Sequence, residues 1–246
     1  MLEGLYSAAA GMAAQQQHMD AVANDLANVD TTGYKKVRVG FRDLLYTPAR
    51  TAAGAGVDLG AGSAATQLGR TLDQGSLQNT GNMLDVAIQG QGFFEVRQAN
   101  GQPALTRDGS FHLNANGQLV TSDGLRLQPP ITVPRGTTGD QVTISANGAV
   151  AANGRQLGSL RLVTVRSPEA LTPAGSNLFT ANAASGPIRP VTGSGTTLQQ
   201  GYLEGSNVDM ADSMVDMMDA QRSFELASKA IQMQDDMAAI ANQVKQ

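Results

Sequence analysis

The stretch Asn24-Asp25-Leu26-Ala27-Asn28-Val29-Asp30-Thr31-Thr32-Gly33-Tyr34-Lys35 ends one pattern and begins another. Upstream of it Leu5, Met12, Met19 and Leu26 recur every seven residues, with Leu2, Ala9, Val22, Ala23 and Val29 on or beside the same stripe. That spacing lays an apolar seam along a helix. Asn28 and Asp30 favour turns, and Gly33 is expected to supply a left-handed cap that ends the helix. The chain is therefore expected to open with a helix of about 28 residues, roughly 42 Å long.

The other end mirrors it. Ser206-Asn207-Val208-Asp209 fits a capping box, and Asp209, Asp212, Asp216 and Asp219 crowd the early turns while Lys229 and Lys245 come later, as the helix dipole favours. A helix of about 37 residues, roughly 55 Å, should run to about Val244. Its apolar positions form two sets of sevens: Met210, Met217, Phe224, Ile231 and Ala238, and Leu226, Met233 and Ile240. The second set is offset by two residues, about 200° around the axis, so one partner helix covers only one of them. Pairing the two helices closes a loop of about 180 residues, which costs only roughly 2–3 kcal/mol more than closing a loop of ten. The remaining face, rich in adaptable Met side chains, then calls for neighbouring copies of the chain. In the competing reading both stripes pack on the middle of the chain as an ordinary α+β core.

Between the helices the period changes to that of short strands: 84–88, 93–96, 111–113, 118–121, 131–133, 142–144 and 160–165. Asn100-Gly101, Asp108-Gly109, Asn116-Gly117, Asp123-Gly124, Asn147-Gly148 and Asn153-Gly154 punctuate them, and these pairs suit hairpin turns that require positive φ at both central residues. An antiparallel β domain is expected. Residues 47–69, Ala- and Gly-rich with Pro48, read as a flexible linker, and 181–197 as a second.

Composition narrows the function. Of 246 residues 15% are charged, the net charge is −4, and no basic cluster exceeds Lys35, Lys36 and Arg38, so nucleic acid is not expected as a partner. Without cysteine there is no disulfide, thiolate metal site or cysteine nucleophile. No apolar run reaches the roughly 18 residues of a membrane helix, so membrane insertion is not expected. Glu3 stands where a signal peptide carries a base, so export is expected to proceed without a cleaved signal.

Catalytic signatures are missing as well. His18 lies in a Gln-rich helix and His112 in a strand without an acidic neighbour at ligand spacing. The glycine run 54–60 is one residue too long for a dinucleotide fingerprint and follows no expected strand. Asp235-Asp236 and the early acids of the last helix are explained by capping and dipole compensation. No catalytic, cofactor-binding or metal-binding residue is assigned, no cofactor is expected, and the chain reads as a non-enzyme.

The opening stretch, continued by Phe41-Arg42-Asp43-Leu44-Leu45-Tyr46, resembles the N-terminal signature of bacterial flagellar rod and hook proteins. Gly201-Tyr202-Leu203-Glu204-Gly205-Ser206-Asn207-Val208-Asp209 and Met214-Val215-Asp216-Met217-Met218-Asp219-Ala220-Gln221-Arg222-Ser223-Phe224-Glu225 are similar to its C-terminal counterpart. Gln78-Asn79-Thr80-Gly81-Asn82, the run 84–94, Thr106-Arg107-Asp108-Gly109-Ser110-Phe111 and Asn116-Gly117-Gln118-Leu119-Val120-Thr121 agree with central pieces of the same family. The insert 47–69 and Leu127-Gln128-Pro129-Pro130-Ile131-Thr132-Val133-Pro134 favour the distal rod type over the proximal rod or a hook-like axial protein. Asp212, usually Glu in such proteins, and Ser223-Phe224, usually Ala-Tyr, are small departures.

The resemblance implies a discontinuous α+β chain: 1–33 and 206–246 as a coiled-coil assembly core, 34–80 and 190–205 as a connecting region, and 81–189 as a β-rich outer domain. It implies a helical homopolymer in the periplasmic rod that carries torque from motor to hook. Other rod proteins, the hook protein, the surrounding P and L rings and the type III export apparatus are its implied partners. A secreted β-domain binding module or enzyme is the weaker alternative. Leu5, Met12, Met19, Asn24, Leu26, Asn28, Met210, Met214, Met217, Phe224, Ile231, Met233 and Ile240 are the expected assembly residues. Asn24 to Asn28 has two readings, a capped helix end or a subunit-contact hinge.

Overall fold

A computed structural model describes residues 2–44, 46–50, 56–134, 136–191 and 195–244. The chain forms two compact units. The first comprises Met1–Ala27, Val37–Gly69 and Asp209–Gln246, and the second Asn28–Lys36 and Arg70–Val208.

The first unit holds both helices, α1 (Leu2–Ala27) and α2 (Met210–Val244), of 26 and 35 residues. They pack antiparallel, with Gly4, Ser7 and Ala8 of α1 beside Ala230, Met233, Gln234 and Met237 of α2. The closest packing runs through small or short side chains, since Ala14, Val22, Ser213 and Ala220 are the buried apolar or hydroxyl positions of the pair. A seven-residue repeat marks a stripe, but small residues set where two backbones approach, and the larger side chains flank that line. Leu5, Met12, Met19 and Leu26 accordingly sit half-buried beside the seam. α1 also packs on the strand Val37–Asp43, where the rings of His18 and Phe41 meet edge to face at 5.6 Å.

Three sequence expectations are corrected here. The described residues of 47–69 are not a linker: Ser63–Arg70 pairs with Val37–Asp43, and Tyr46–Arg50 pairs antiparallel with Gly56–Gly60. Backbone pairing needs no large side chain, so a composition of Ala, Gly and Thr does not forbid a strand. The glycine run 54–60 thus ends in a strand, while Gly54 and Ala55 lie outside the described residues. At the start of α2 the cap is Asp209, whose Oδ1 accepts from Ala211 N at 2.8 Å and Asp212 N at 3.2 Å. Ser206 instead accepts from Val208 N, within an extended approach to the helix. Lastly, Gly33 does not cap α1, which ends at Ala27; it belongs to the second unit.

The second unit is built from antiparallel pairings throughout its described strands. Phe93–Arg97 is central to a nine-stranded sheet: Pro103–Thr106 lines one edge, and Arg126–Leu127 and Leu162–Thr164 share the other. Alternation along it feeds two cores. Phe94 and Val96 join Phe111, Leu127, Ile131 and Val142, while Phe93 joins Leu105, Val163 and Phe179 on the opposite face. Val142–Ile144, Ala149–Ala152 and Arg155–Ser159 form a separate three-stranded sheet.

The expected strand at 131–133 reduces to one bridge, Gln118 to Thr132, although Ile131 and Val133 are fully buried. Of the six turn pairs only Asn153-Gly154 has positive φ at both residues, 51° and 76°. Asn100 and Asn147 instead accept from the backbone N–H two residues on, an Asx turn that leaves their own φ negative. Gly109 has no positive φ at all; it is required because a Cβ there would collide with the Val86 carbonyl. The second linker expectation, 181–197, is also revised: Arg189–Pro190 pairs with Leu162–Thr164, and Ser185 is buried against Asn182.

Candidate functional site

Two features stand out, one in each unit. On α2, Met217, Phe224 and Ile231 are half-buried, whereas Leu226, Met233, Met237 and Ile240 are 59–68% exposed. Met210, Met214, Val215 and Met218 lie exposed nearer its start. Burial does not follow the two sets of sevens strictly: Met210 of the first set is exposed, and Met233 of the second borders α1 while staying 60% exposed. Asn24 is exposed and Asn28 half-buried, its carbonyl accepting from Thr31 N at 3.1 Å in a turn that follows the helix. Between them Asp25 is buried, and its carboxylate accepts from Val37 N.

In the β unit three distant segments converge on Glu204. Its carboxylate is fully buried; Oε1 accepts from Lys35 Nζ at 2.6 Å and Gly75 N at 3.0 Å, and Oε2 from Arg107 Nη1 at 3.0 Å. Lys35 Nζ also donates to the Asp73 carbonyl at 2.7 Å, and Arg107 Nη2 to the Gly90 carbonyl at 2.9 Å. The backbone joins in, as Gly33 N donates to the Glu204 carbonyl at 2.8 Å. Gly33 is needed there: its φ is +67°, and a Cβ would lie 2.8 Å from Asp108 N. Thr32 Oγ1 donates to Asp108 Oδ1, and Asn177 Nδ2 to the Thr32 carbonyl.

One anion thus serves two buried cations. Burial pushes the Lys35 ammonium below its ordinary value of 10.5; the charge and hydrogen bond of Glu204 push back, Arg107 adds to the lowering, and Asp73 opposes it. Arg107 also lies over the Phe93 ring at 5.4 Å. Such a cluster is sealed from substrate and holds the fold rather than performing chemistry. Sequence reading passed over Glu204, Arg107 and Asp25 as individual residues. A glutamate preceding Gly205 in an otherwise strand-like run was the one available signal for the first.

Among the described residues no group of three His, Asp or Glu is placed to hold a metal, and no helix is long and apolar enough to cross a membrane. His112 sits exposed on the strand Phe111–Leu113.

Lys35, Arg107 and Glu204, all of α2 and most of α1 fall within three matched family models. Residues 5–35 match "Flagella basal body rod protein", 87–152 "Flagellar hook protein FlgE/F/G D1 domain", and 199–244 "Flagellar basal body rod FlgEFG protein C-terminal". These describe flagellar rod and hook proteins. The relatives narrow the class: the chain is 41% identical to the flagellar basal-body rod protein FlgG of Borreliella burgdorferi, over 100% of this chain and 99% of that one. It is 40% identical to FlgG of Agrobacterium fabrum over 98% of both, and 34% identical to FlgG of Bacillus subtilis over 96% and 97%. The chain belongs to the flagellar basal-body rod protein family, of the FlgG type.

Proposed function

We propose that the chain is a structural, non-catalytic subunit of the flagellar distal rod, polymerising into a helical tube that carries torque from motor to hook. In this reading the paired terminal helices form a coiled-coil core with those of neighbouring copies, and the β unit lies outside it. Residues 1–33 and 206–246 then act as the core, 34–80 and 190–205 as its connection, and 81–189 as the outer layer. The supporting observation is the uncovered face of α2, Leu226, Met233, Met237 and Ile240.

Burying a side chain of this kind contributes about 1.5–3 kcal/mol. Four of them, with about three fifths of their surface still exposed, therefore contribute about 4–8 kcal/mol, against about 4–15 kcal/mol for the lost freedom of association. A dimer held by this face alone is marginal, so growth should need several simultaneous contacts and show a nucleation lag. Leu5, Met12, Met19, Leu26, Met217, Phe224 and Ile231 support the helix pair, while Met210, Met214, Met233 and Ile240 meet neighbours. Asn24, in the last turn of α1, and Asn28, in the turn that follows, complete the interface. The type III export apparatus delivers the subunit, and other rod proteins, the hook protein and the ring proteins bound it in place. The test is electron microscopy of polymers grown from the purified chain. Straight tubes support a rod, curved ones a hook-like axial role, and no ordered polymer at high concentration rejects the reading.

A further inference from the structure

The chain passes between its two units at four peptide bonds, after residues 27, 36, 69 and 208. Three of those crossings end in a closed ring of hydrogen bonds inside the β unit. Asn207 Oδ1 accepts from Lys36 N at 2.7 Å, the Lys36 carbonyl accepts from Thr71 N at 2.9 Å, and the Thr71 carbonyl accepts from Asn207 Nδ2 at 2.8 Å. Asn207 Nδ2 also donates to the Asp73 carbonyl at 3.2 Å, and its N–H to the Tyr34 carbonyl at 3.4 Å. Arg70 Nη1 donates to the Lys35 carbonyl at 2.8 Å, which ties the crossing after 69 to the one after 36 again.

We infer that Asn207 is a positioning residue that binds the three strands leaving the β unit, at 36, 70–71 and 207–208, into one junction that opens and closes as a unit. A side-chain amide suits this: it accepts from one strand and donates two hydrogen bonds to another through a single planar group, as an ionised carboxylate and an alkyl group do not. Glu204 neutralises the cations one layer deeper, so the junction has a rigid floor. The remaining crossing, after Ala27, lies outside the ring and is closed by the Asn28–Thr31 turn instead. For a torque-bearing subunit, a consequence that rests on the function proposed above, a load entering through α2 is shared with the hairpin strands at this ring before it reaches the sheet.

Residue-resolved amide exchange on the full chain, as a dilute monomer, tests the junction independently of any polymer. In Asn207→Ala the amides of Lys36 and Thr71 should exchange at least tenfold faster together, although the Thr71 N–H bonds to Lys36 and not to Asn207. Amides of the three-stranded sheet at 142–159 should keep their rates. Asn207→Asp, which retains the acceptor and loses the donor, should accelerate Thr71 more than Lys36. An acceleration confined to Lys36, a change below twofold at both, or an equal acceleration across 142–159 would each overturn the inference. Failure of the chain to polymerise would leave these rates as they are and count only against the rod.

Discussion

Replacing Glu204 by Gln should be the most damaging near-isosteric change in the β unit. The amide keeps one oxygen, which serves Lys35 and Gly75, but its other end presents a donor to Arg107 Nη1, now 3.0 Å from Oε2. Two buried cations lose the carboxylate they share. Breaking a buried pair in this way costs about 3–5 kcal/mol. At about 2–4 °C per kcal/mol for a chain of this size, the melting temperature of the β unit should fall by about 6–20 °C. Lys35→Met removes one of the two cations and leaves the Glu204–Arg107 pair intact, so it should cost less than about 2 kcal/mol. The double variant should lose less than the sum of the two, because no second cation then remains beside Arg107. Urea denaturation followed by circular dichroism measures all three. The charge count is wrong if Glu204→Gln costs under about 1 kcal/mol, or no more than Lys35→Met.

The lowered proton affinity of Lys35 carries a sign. Between its folded-state value and 10.5 the unfolded chain binds more protons, so wild-type stability relative to Lys35→Met should rise with pH across that window; a fall in the paired titration refutes it. Gly109→Ala should destabilise the β unit by about 1–3 kcal/mol, since its methyl group meets the Val86 carbonyl, and a melting temperature equal to wild type would remove the packing argument. Asp209→Ala should cost α2 about 1 kcal/mol and raise amide exchange at Ala211 and Asp212 while leaving the later turns alone. Met217→Asp or Phe224→Asp should abolish polymer growth while the β unit keeps its own transition; normal growth would detach the helix pair from assembly.

Much of the architecture was legible along the chain because it follows from local periodicity. Sevens at both ends produced α1 and α2 within a few residues of their ends, and alternation produced Phe93–Arg97, Phe111–Leu113 and Val142–Ile144. The second apolar set on α2, Leu226, Met233 and Ile240, is exposed, as is Met210 of the first. Local reading failed where the partner is distant in sequence. Residues 63–70 are a strand only because 37–43 lies alongside, Gly33 meets Asp108 rather than the end of α1, and Gly109 is a glycine because of Val86 and not because of a turn.

The amino-acid order alone therefore determined the helical ends, the β middle and the family. Those depend on spacing between near neighbours, which the backbone converts directly into faces. Only the tertiary structure decided that Lys35, Arg107 and Glu204 share one buried site and that Asn207 ties three crossings together, across separations of 97 to 171 residues. Charge and amide groups do their work through distance and burial, and neither quantity exists until the chain has folded.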